Sequence, residues 1–148
     1  MNKVARLIVM SALVVIGTAQ PAFAGSTNHL TGGGTASISQ VAFNVSIAPT
    51  GGASGSFECL MAGRSAFVLG AFGLSHIMAV HATPINGTVA GSVVTFSGSA
   101  RLIMDNGQHR DVHVVVWANA ATQQFQLTVV EVGTMPIETL STGQIALS

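Results

Sequence analysis

From Val41 the chain alternates: Val41, Phe43, Val45 and Ile47 are apolar, while Ala42, Asn44, Ser46 and Ala48 are small or polar. A two-residue period puts one set on each side of an extended strand, whereas a helix would scatter it. The rhythm returns where Phe125, Leu127 and Val129 alternate with Gln124, Gln126 and Thr128. Between these segments, strands are predicted near Ser56 to Met61, Ser65 to Ala71, Leu74 to Ala82, Thr88 to Phe96, Ser99 to Met104 and Asp111 to Ala118, with a last short one from Gln144 to Leu147. Breaks are predicted at Gly32-Gly33-Gly34, Pro49-Thr50-Gly51-Gly52, Pro84-Ile85-Asn86-Gly87, Asp105-Asn106-Gly107 and Gly133-Thr134-Met135-Pro136, where turn-forming residues cluster.

Many short strands joined by glycine-rich turns must close or stack to cover their edges. The expected fold is therefore all-β: an antiparallel β-barrel or β-sandwich of about eight strands. Asn106-Gly107 reads as a two-residue hairpin turn, which places Phe96 opposite Trp117. Ala66 to Ala82 carries no charge and admits two readings, a pair of buried strands or one helix; Gly70 and Gly73 weaken the helix, and Val68, Ile77 and Val80 suit strands.

The first residues follow a different logic. Lys3 and Arg6 precede an apolar run from Leu7 to Ile16, and Ala22-Phe23-Ala24 is a small-x-small cleavage signal. Residues 1–24 read as a secretory signal peptide, with a mature chain beginning at Gly25. Without an Arg-Arg pair or a cysteine at the cleavage point, the general secretory route is expected. Residues 25–148 then form one β domain, secreted or periplasmic, with no integral membrane span. An outer-membrane barrel is a poor match, because the mature chain has no tyrosine for aromatic girdles and ends in Ala146-Leu147-Ser148.

That mature portion holds Arg64, Arg101 and Arg110 against Glu58, Asp105, Asp111, Glu131 and Glu138, a formal charge of −2, and no lysine. Nucleic acid is an unsuitable partner for so few, unclustered cations. Charged residues make up 7% of the chain, against roughly 25% in ordinary soluble domains. A neutral, hydrogen-bonding surface gives little protection against self-association, so a homo-oligomer or attachment to a protein or surface component is open. Cys59 is the only cysteine and excludes an intramolecular disulfide. Its neighbours Phe57 and Leu60 favour burial over reactivity.

His109, Asp111 and His113 are the sharpest candidates for chemistry, since residues two apart on a strand share a face and this triplet joins two imidazoles to a carboxylate. At about 3.3 Å per residue the Cα atoms of His109 and His113 stand roughly 13 Å apart, near the limit of what two imidazoles can bridge through one ion. Alternation also explains the set, with Val112, Val114 and Val116 inward and the polar residues facing solvent. His76 and His81 face opposite sides of a strand, and His29 falls in the amino-terminal lead. Cys59 has no nearby basic group except Arg64 to activate it, no Gly-x-Ser-x-Gly elbow occurs, and the phenylalanines and Trp117 read as core filling.

The order Glu58-Cys59-Leu60, Gly70, Phe96-Ser97-Gly98-Ser99-Ala100, Asp105-Asn106-Gly107 and Leu140-Ser141-Thr142-Gly143-Gln144-Ile145-Ala146-Leu147 resembles the small exported bacterial β domains labelled post-COAP. The resemblance implies a secreted, mostly β domain of unassigned activity, and transfers no functional residues. The functional expectation is an exported, non-enzymatic β domain, without a cofactor, acting as a binding or structural module at or outside the cell surface. The alternative is a metal-binding protein or metal-dependent enzyme using the His109, Asp111 and His113 face.

Overall fold

Ten strands follow one another in a computed structural model that describes residues 25–62, 77–104 and 107–148. They are β1 (Asn28–Thr35), β2 (Gln40–Ile47), β3 (Ala53–Ala62), β4 (Ile77–Ala90), β5 (Val93–Met104), β6 (His109–Asn119), β7 (Gln124–Val129), β8 (Gly133–Thr134), β9 (Glu138–Thr139) and β10 (Thr142–Leu147). All pair antiparallel in one sheet of order β10-β1-β2-β3-β4-β5-β6-β7-β8, with β9 also on β7. Among the described residues there is no helix, and none therefore long and apolar enough to cross a membrane. Residues 1–24 with the predicted signal peptide, the predicted strand Ser65 to Ala71, residues 74–76 and the predicted turn residues Asp105 and Asn106 lie outside the described set. The part of the ambiguous apolar segment that is described, Ile77 to Ala82, is strand.

The alternation selects the inner face. Val41, Phe43, Val45 and Ile47 are buried, as are Val112, Val114, Val116 and Ala118 on β6 and Phe125, Leu127 and Val129 on β7. Four phenylalanines from different strands meet inside. Phe57 lies 5.6 Å from Phe96 and 5.2 Å from Phe43, and Phe43 is 5.9 Å, edge-on, from Phe125. β2 and β7 stand five places apart in the sheet, a flat separation of about 24 Å at 4.8 Å per strand. The Phe43–Phe125 contact is therefore possible only because the sheet curls into a half-barrel.

Several boundaries differ from the sequence expectation. Gly32-Gly33-Gly34 is no break; it lies within β1, and His29 is a strand residue whose Nδ1 is 3.0 Å from Ser46 Oγ. Glycine is needed there because a Cβ on Gly32, whose φ is +112°, would stand 1.9 Å from the Gln144 carbonyl oxygen of β10. Pro84 to Gly87 is no turn either. It is a bulge inside β4, where Pro84 faces Gly98 and Asn86 faces Ser97, leaving Ile85 extruded and exposed. Buried positions shift from even (Met78, Val80, Ala82) to odd (Gly87) across it. The predicted gap at Ser97-Gly98 is likewise continuous β5, and the actual turn is Gly91-Ser92.

The β5–β6 register is also corrected. Phe96 pairs with Val116, and Thr95 with Trp117. The hairpin closes over three residues: Met104 N–H donates to Gln108 O, and Gly107, at φ +76°, donates to Met104 O. A two-residue turn would have shifted the pairing by one place and forced either the Phe96 set or the Val116 set outward. The longer loop lets both strands bury their apolar residues, leaving Trp117 half-buried on the outer face instead of in the core.

Candidate functional site

Because inner positions are filled with apolar side chains, the polar chemistry of β2–β6 falls on the outer face. Register lines up Ala42, Glu58, His81, Arg101 and Asp111 as one row across five strands. His81 Nδ1 lies 3.4 Å from Glu58 Oε1, and Arg101 Nε 3.7 Å from Asp111 Oδ1. These side chains are half or more exposed, so each pair contributes at most about 1 kcal/mol. Their interest lies in the surface they present. The adjacent row is Gln40, Leu60, Ala79, Ile103 and His109, mostly apolar.

Two depressions flank His81. One, of about 560 Å³, opens over β1–β4 between the two rows. The other, about 430 Å³, is bordered by Thr83, Ser99, Arg101 and Asp111.

His109, Asp111 and His113 do share the exposed face that alternation assigns them. They do not act together, because each ends a different cross-strand row. His109 stands beside Ile103, Asp111 beside Arg101, and His113 beside Ser99. His113 is engaged from the other side, where β7 has ended: Glu131 accepts from the His113 main-chain N–H through both carboxylate oxygens, at 2.9 and 3.1 Å, and its Oε1 is 2.7 Å from His113 Nδ1. The His113 main-chain and ring N–H groups hold the Glu131 carboxyl below its ordinary range. Among the described residues no three His, Cys, Asp or Glu side chains converge to hold a metal ion.

The interior contains one polar cluster that pattern reading missed. Glu138, on β9, is 1% exposed and accepts three hydrogen bonds, from Ile38 N–H at 2.9 Å, Ser39 N–H at 3.0 Å and Ser39 Oγ–H at 2.9 Å. This satisfies a carboxylate that would otherwise be very costly to bury. Cys59 is nearby and buried, as its apolar neighbours predict. Burial pushes its thiol up to about 12; the Ser39 hydroxyl opposes that rise and the Glu138 carboxylate adds to it. The thiol is therefore a protonated core group and not a nucleophile. No local motif links Ser39 to Glu138, which are 99 residues apart.

Compared with known protein families, curated proteins and solved structures, the chain matches none of them.

Proposed function

We propose that residues 25–148 are an exported, non-enzymatic β domain, secreted or periplasmic, which serves as a binding or structural module at or outside the cell surface. The observation that carries this reading is the division of the sheet. Its inner face is packed with aliphatic and aromatic side chains, and the one thiol there is protonated, while the outer face presents the Glu58, His81, Arg101 and Asp111 row beside an open groove. A packed interior supplies rigidity, and an exposed, mixed-charge face offers contacts to a partner.

The half-barrel is read as one side of a barrel and not half of a sandwich. Support comes from Phe43 meeting Phe125 across the interior, and from the carboxy-terminal strands reaching between opposite edges, with Glu138 paired to Phe125 of β7 and Ile145 to Gly32 of β1.

Expression of the full chain in a bacterial host tests the export reading. Fractionation should place the protein in the periplasm or medium, with an intact mass beginning at Gly25. An uncleaved product retained in the cytoplasm would overturn it.

A further inference from the structure

The groove on the outer face has a specific composition. Two cross-strand rows bound it, Thr35, Gln40, Leu60 and Ala79 on one side and Ala42, Glu58 and His81 on the other, two residues or about 7 Å apart along the strands. Between them run Val41, Cys59 and Val80, whose side chains are buried on the inner face and which therefore offer only backbone to the groove. Gly34, Ala42 and Ala79 keep it open, and Leu60, 40% exposed, is its largest apolar wall. The volume of about 560 Å³ lies within the 300–1,000 Å³ of small-molecule pockets.

Charge then selects among small molecules. The only ionic partner of Glu58 among the described residues is His81, which is a cation only when protonated. Arg101, the next residue in the row, is turned to Asp111 on its far side. The chain after residue 24 has no lysine to supply a competing ammonium group. Among the described residues the groove therefore combines an apolar wall with a carboxylate that has no arginine or lysine partner.

We propose that this groove binds a small organic cation: a primary amine or guanidine carried on a short apolar body, its charge on Glu58 and its body along Leu60 and Ala79. The proposal rests on the binding-module reading and names the ligand class of that surface.

Hexylamine, 1-hexanol and hexanoate share one body and differ in charge, so titrating each into isotope-labelled protein and following amide shifts by NMR tests the proposal. Hexylamine should shift amides of Ala42, Glu58, Leu60 and Ala79 and bind about tenfold more tightly than hexanol, the scale of one charge-assisted hydrogen bond. Hexanoate should bind more weakly than hexanol. Glu58→Gln, at an exposed position, should erase the preference for amine over alcohol while leaving hexanol binding unchanged. Ala42→Leu should fill the groove and weaken amine and alcohol alike. Equal binding of hexylamine and hexanol, an unaltered preference in Glu58→Gln, or shifts confined to another surface would overturn the proposal. Any of these results leaves the export reading standing, whereas a cytoplasmic, uncleaved product that still prefers the amine would remove that reading and leave the groove assignment.

Discussion

Gln123 is bound to Ile145 as one strand is bound to another: Ile145 N–H donates to Gln123 Oε1 at 2.7 Å, and Gln123 Nε2 donates to Ile145 O at 3.0 Å. A side-chain amide thus satisfies the outward main-chain groups of an edge strand, β10, that β1 pairs on its other side only. It also ties the β6–β7 turn to the carboxy-terminal strand and blunts an edge that would otherwise invite pairing with a second chain.

Gln123 achieves this from a left-handed backbone, φ +58°, the only such non-glycine residue among those described. Gln123 Nε2 also donates to Ala120 O, so Gln123→Ala removes three side-chain hydrogen bonds and should cost about 1.5–4.5 kcal/mol. Gln123→Gly loses the same bonds but relieves the left-handed strain, so it should be about 1 kcal/mol more stable than the alanine variant. Urea denaturation of the two side by side checks the order; equal midpoints would show that the backbone strain is not real.

The Glu138 carboxylate receives three donors from Ile38 and Ser39, so Glu138→Gln removes the charge and points an amide N–H toward at least one of them. A loss of about 2–3 kcal/mol is expected in chemical denaturation. Ser39→Ala, which removes one donor and keeps the main-chain pair, should cost less. A neutral Glu138→Gln would mean that the carboxylate does not anchor the β1–β2 connection.

With its thiol pushed up to about 12, Cys59 should resist iodoacetamide at pH 8 in the native protein and be alkylated rapidly once guanidinium unfolds it, as intact mass would show. The sign of the linked stability follows. An unfolded thiol ionises from about 9 while the folded one does not, so the contribution is complete below pH 9 and is lost as pH rises from 9 toward 12. Cys59→Ala should flatten that part of the stability profile.

Glu131 should titrate below its ordinary 4.5 when its carboxyl carbon is followed by NMR. The largest cause is the main-chain N–H of His113, and the imidazole comes second. His113→Ala should therefore raise the midpoint only part of the way toward 4.5. Because the folded value is depressed, any stabilisation is present above 4.5 and is lost as pH falls through the folded midpoint. Complete return to 4.5 in the alanine variant would assign the effect to the ring.

The face of each regular strand was legible in the sequence. Val41 to Ile47, Val112 to Ala118 and Phe125 to Val129 point where their period says, because burying apolar surface is the dominant favourable term and a strand offers only two sides. β1 was not legible. Its three glycines carry the composition of a turn, and only the approach of the β2 and β10 backbones shows why side chains are excluded there. The β4 bulge was hidden for a related reason, since Pro84 and the shift of phase at Ile85 resemble a chain reversal until β5 is seen to continue alongside.

At the candidate site, the shared face of His109, Asp111 and His113 was readable from their spacing, but their neighbours were not. Arg101 reaches Asp111, His81 reaches Glu58, and Glu131 reaches His113 only through strand pairing or a chain turn. The sequence by itself determined an all-β chain with an apolar inner face and a buried thiol, since these follow from local period and composition. Only the tertiary structure decided register, the Ser39–Glu138 cluster and the outer groove, because each depends on which distant segments lie side by side, and pairing with one residue of slip reverses every side chain.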